Sequence, residues 1–150
     1  MGTLFLFCLL AGYIIGLGAV TVIDLHGFLA RHSPYWTEAT TRTHKVTKPL
    51  IWAGIVLACI GWFGLSELGW FEDAGVIMPI LYALLIFNGM FLSFVVSPFL
   101  LRREKEGRGT ELLPANWQVA VAVSFLFSVA GWWGTFLLVI REISERSGMR

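Results

Sequence analysis

Residues 75–101 read GVIMPILYALLIFNGMFLSFVVSPFLL, 27 residues in which Asn88 and a few hydroxyls are the only polar side chains. A helix of a soluble bundle would carry a polar face recurring every three or four positions, and this stretch has none. Hydrocarbon about 30 Å thick needs about 20 helical residues at a rise of about 1.5 Å each. Three further apolar stretches, at 3–23, 50–66 and 117–140, repeat the pattern at lengths of 21, 17 and 24 residues. The short second stretch extends upstream through Pro49 and Lys48 and downstream to Leu68, because a lysine stem can lie along apolar surface and proline is tolerated in a first turn. The sequence therefore predicts an all-α integral membrane protein, a four-helix bundle with antiparallel neighbouring helices, forming one domain over residues 1–150.

The charged residues are confined mainly to the connections. With 57% hydrophobic and 14% charged residues and a net charge of +1, the chain has no basic cluster of the size that nucleic-acid phosphates require, so no nucleic-acid partner is expected. Cys8 and Cys59 fall inside apolar stretches and read as small buried hydrophobes. The first stretch lacks a positive leader and a small-residue cleavage site, so it reads as a retained spanning helix. Arg31, Arg42, Lys45 and Lys48 flank the first connection and Arg102, Arg103, Lys105 and Arg108 the third, while the second has only Glu67, Glu72 and Asp73. The positive-inside rule places the first and third connections in the cytoplasm and both termini outside, with Arg141, Arg146 and Arg150 dissenting.

Small and polar residues inside the spans indicate how the helices meet. Gly12 and Gly16 form a ridge at helical spacing that permits close backbone approach, and Gly54, Gly61 and Gly64 on the second helix are its natural partners in an antiparallel hairpin. The same ridge would equally serve a homo-oligomer. Asn88, midway along the third helix, should hydrogen-bond across the bundle, and Pro79 and Pro98 should bend that helix. Ser33 and Pro34 read as the start of a polar helical extension, with Pro49 kinking or restarting the helix at the membrane surface. Trp117, Trp132 and Trp133 read as interfacial belt residues near the ends of the fourth helix.

Asp24 and His26 are the least expected residues in the chain. At the C-terminal end of the first helix the dipole favours a cation, which suits His26 and leaves Asp24 in need of a partner; Arg42 and Lys45 are the preferred candidates and Arg31 the local alternative. Chain reversal returns His44 to the depth of His26, so both imidazoles and the Asp24 carboxylate have the opportunity to converge. On that reading His26 and His44 are candidate ligands for haem b, and Asp24, His26 and His44 for a divalent metal, although no zinc-type spacing accompanies them. The run 40–48, TTRTHKVTK, supplies Arg42, Lys45 and Lys48 as candidate contacts for anionic lipid headgroups, worth roughly 1 kcal/mol per nearby cation.

The segment from Phe7 to Gly12, the Gly16-Leu17-Gly18 turn and Pro98 before Leu101, Arg102 and Arg103 resemble small four-helix bacterial inner-membrane proteins grouped loosely around the CopD and HemJ families. The resemblance implies a cell inner membrane location and, in the better-known relatives, handling of copper or haem. Those relatives carry a histidine early in the first helix where this chain has Cys8, and His26 stands about five turns further along. Three functional classes follow: an accessory or structural membrane protein, oligomeric or joined to another membrane subunit, which is preferred; a haem-linked or metal-linked redox protein using His26 and His44; and a small transporter subunit.

Overall fold

A computed structural model describes residues 1–30 and 32–148. Four helices, Gly2–Ala30, Pro34–Ser66, Ile77–Lys105 and Ala115–Ser147, are each long and apolar enough to cross a membrane. Every helix outlasts its apolar stretch because the polar flanks continue the same hydrogen-bond ladder beyond the hydrocarbon. The second helix runs unbroken through Pro49, so the polar extension and the spanning arm are one element rather than two. Ser33 takes the extended N-cap conformation without a side-chain cap bond. Thr37 instead donates to the carbonyl oxygens of Ala30 and Ser33, each at 3.2 Å, and ties the end of the first helix to the start of the second.

Contacts run in opposite directions along each neighbouring pair. A Cβ added at Gly12 would lie 2.5 Å from the Ala58 amide nitrogen, one at Gly54 would lie 2.5 Å from the Gly16 Cα, and Gly61 and Gly64 abut Leu9 and Phe5. Residue numbers thus fall on the first helix as they rise on the second, and only hydrogen side chains allow the two backbones this close. On the third and fourth helices Leu81 meets Gly134, Leu85 meets Gly131, Asn88 meets Ser124 and Phe99 stacks on Trp117 with ring centroids 3.9 Å apart. Trp52 and Tyr82 join the second helix to the third, and Trp132 over Gly16 joins the fourth to the first. The result is a closed ring of four antiparallel helices.

From mid-bundle toward the end bearing the termini, the core is aromatic. Tyr13, Tyr82 and Trp132 are nearly fully buried, and the two tyrosine hydroxyls hydrogen-bond at 3.0 Å. Trp132 therefore packs in the middle of a helix that extends to Ser147 and is not a belt residue, whereas Trp133 remains exposed. The outer surface carries exposed Phe7, Ile14, Ile60, Phe63, Phe87, Phe94, Leu126 and Leu137. Apolar side chains exposed on all four helices form a surface suited to lipid rather than water. In the connection at this end, Phe71 adopts a positive φ of 62° with its ring buried, and Arg146 donates to the Gly69 carbonyl while lying 4.6 Å from the Trp70 ring.

Candidate functional site

At the opposite end the helices part around a cavity of about 330 Å³, lined by residues from all four. Each helix supplies a stripe at helical spacing: Asp24, Gly27 and Phe28 from the first; Thr37, Thr40, His44, Lys48 and Ile51 from the second; Gly89, Ser93, Val96 and Leu100 from the third; Gln118, Val121, Ala122 and Phe125 from the fourth. The threonines do not compete for a ligand in a simple way, since Thr37 and Thr40 already return their hydroxyls to carbonyls of their own helix.

The third helix is deformed where it lines the cavity. Residues Leu92–Val96 form a π-helical turn in which the Ser97 amide donates to the Leu92 carbonyl, five residues back. That shift takes the Ser97 amide away from the Ser93 carbonyl, and Pro98, next in line, has no amide to offer. Lys48 fills the gap, donating from Nζ to the Ser93 carbonyl oxygen at 3.3 Å. Trp52 Nε1 donates to the hydroxyl of the same serine at 3.0 Å. Lys48 thus turns inward to the bundle, while Arg42 pairs with Glu38 at 2.5 Å and Lys45 with Glu104 at 2.8 Å. Arg42 and Lys45 keep exposed faces that a headgroup can reach.

Asp24 is paired with neither of its preferred cations, because both are held by glutamates of their own vicinity. Its contact is the buried Ser128 hydroxyl of the fourth helix. Arg31, the local alternative, lies outside the described residues, as does Arg150. Asp24 Oδ2 is buried and has no hydrogen-bond partner, and the same holds for Nε2 of His44, a residue only 9% exposed. Two orphaned polar atoms on residues that line one cavity are costly, at about 1–3 kcal/mol each.

His26 does not join them. Positions 24 and 26 stand about 200° apart around a helix, so a stripe that turns Asp24 inward turns His26 away. Its Nδ1 is 2.7 Å from the Val22 carbonyl oxygen and its ring packs 5.3 Å from Trp36, outside the cavity lining. Equal depth is not convergence. A haem held by both His26 and His44 does not fit this arrangement, and among the described residues no three His, Cys, Asp or Glu side chains are grouped to hold a metal, so Asp24, His26 and His44 do not form a ligand set. His32 is exposed and also lies apart.

The remaining polar residues have structural work. Asn88 Nδ2 donates to the Ser124 carbonyl at 3.1 Å and Asn88 Oδ1 accepts from the Ser124 hydroxyl at 2.7 Å, closing a reciprocal bridge beside the cavity. Arg103, only 5% exposed, donates to the carbonyl oxygens of Glu111 and Leu112 at 3.0 and 3.1 Å and so folds the third connection back over the helix end. Reading the sequence in spans counts Arg103 as a topology signal and misses Ser93 and Gln118 altogether; the one available cue was Pro98 placed five residues after a serine. No protein-family profile, curated protein or solved structure matches this chain.

Proposed function

We propose that this chain is a multi-pass protein of the cell inner membrane, with its first and third connections cytoplasmic and both termini outside, acting as an accessory protein that holds a small lipid-soluble molecule in the four-helix cavity. One observation carries the binding role: a cavity of about 330 Å³ with mainly apolar walls is lined by Asp24 and His44, each of which holds a buried polar atom without a hydrogen-bond partner. Ligand sites combine this same apolar lining with a few placed polar groups, in cavities of roughly 300–1,000 Å³. The preferred orientation rests on the positive residues flanking the first and third connections against none in the second. Less favoured are a redox role through paired histidines, since His26 is not among the residues that line the cavity with His44, and a transport path, for which the described lining offers Asp24, His44 and Lys48 as ionisable groups.

Gly27 provides the test. A Cβ there meets nothing closer than Val121 Cγ1 at 3.8 Å, so Gly27→Leu should fit and project into the cavity. Native mass spectrometry of protein purified in mild detergent is expected to show a bound small molecule that Gly27→Leu displaces without lowering the melting temperature. Identical spectra for the two proteins would overturn the binding role.

A further inference from the structure

We propose that the occupant of this cavity is a neutral amphiphile carrying a hydroxyl group, an aliphatic alcohol or phenol, which is read by Asp24 and His44. This rests on the cavity being a binding site and goes on to assign the chemistry of what binds. The two orphaned atoms set the requirement. A carboxylate oxygen accepts, so Asp24 Oδ2 needs a donor; His44 Nε2 donates or accepts according to tautomer. A hydroxyl gives its one proton to Asp24 Oδ2 and accepts from His44 in the Nε2–H tautomer, so a single group answers both atoms.

Other head groups fail on the same two atoms. To the ionised Asp24 carboxylate a ketone, ester or ether offers no donor and leaves Oδ2 unsatisfied. A carboxylate brings negative charge against Asp24, and an ammonium brings positive charge into a cavity whose wall already includes Lys48. Asp24 and Lys48 have opposite formal charges, so the described lining offers no net attraction to an ion. A hydrocarbon strands both polar atoms in a dry site. The walls favour an apolar body, with Phe28, Ile51, Val96, Leu100 and Phe125 around the polar cluster. The volume suits a ring with a short chain.

Three probes of nearly the same shape separate the terms: 4-hexylphenol, its methyl ether 4-hexylanisole, and hexylbenzene. Trp52 lines the cavity, so its fluorescence reports binding to the purified full-length protein, with probe concentrations expressed in the micelle phase. The phenol should bind about tenfold or more tightly than the ether, as expected for a hydrogen bond to a charged or buried polar acceptor. Asp24→Ala and His44→Phe should each reduce that preference at least severalfold, while hexylbenzene still binds, no more weakly than to the wild type since one stranded polar atom is gone, as proof that the cavity persists. Equal binding of all three probes to the wild-type protein would overturn the hydroxyl assignment and leave the cavity reading intact. Absence of binding by any probe would overturn both. A phenol preference that survives Asp24→Ala and His44→Phe would remove these two residues as its readers and overturn the assignment as stated.

Discussion

Gly12 shows how much one hydrogen atom can decide. Alanine at this position would put a methyl group 2.5 Å from the Ala58 nitrogen and 2.7 Å from the Gly54 carbonyl oxygen, both backbone atoms that cannot swing aside. Gly12→Ala is expected to destabilise the protein by about 1–3 kcal/mol, measured by thermal unfolding in detergent, whereas Gly18→Ala, with nothing within 4 Å, should change little. A spacing pattern on one chain marks the ridge but does not distinguish the second helix from a second copy as its partner; in the structure the second helix fills that place. The Asn88 and Ser124 bridge makes a separate prediction: a double-mutant cycle with Asn88→Leu and Ser124→Ala should give a coupling of about 0.6–2 kcal/mol. Zero coupling would mean that the two side chains are satisfied independently. At this scale the sequence was most legible where chemistry forbids an alternative, as for an amide in hydrocarbon, and least where direction matters. Asp24 and His26 are two residues apart, and that small offset sends one inward and the other out.

The π-helical turn at Leu92–Val96 ties the third helix to the second through a single orphaned carbonyl. Removing the ammonium with Lys48→Met should cost about 1–3 kcal/mol, because the Ser93 carbonyl loses its donor. In a Pro98→Ala background, residue 98 regains an amide and the same substitution should cost clearly less; equal costs in both backgrounds, read from unfolding midpoints, would show that Lys48 does not serve this carbonyl. Hydropathy recognises the third helix as a span but is blind to this irregularity, which arises from hydrogen-bond register and not from side-chain polarity. The charged connection after it is similar. Arg103 looks like one of several positive residues, yet its guanidinium gathers carbonyls from the loop. Arg103→Met should expose the connection and accelerate tryptic cleavage after Arg108 severalfold under native conditions.

Across the whole molecule, the fold was readable because the bilayer admits few solutions: four apolar stretches of spanning length joined by short connections have to reverse direction each time. The cavity was not readable, since it depends on four stripes from separate helices facing one another. Orientation has its own test. Reporter fusions at residues 40 and 108 are expected to show cytoplasmic activity and those at 72 and 150 external activity; cytoplasmic signal at 72, with none at 40 and 108, would invert the arrangement. The unequal intimacy of the two hairpins also bears on how the protein is made. The first and second helices meet backbone to backbone through Gly12, Gly16, Gly54 and Gly61, and those contacts use nothing that is synthesised later. Trp132, by contrast, comes from the last helix and closes over Gly16. The N-terminal pair can therefore assemble in the membrane while the rest of the chain is still on the ribosome, and the final helix then acts as the bolt that completes the ring.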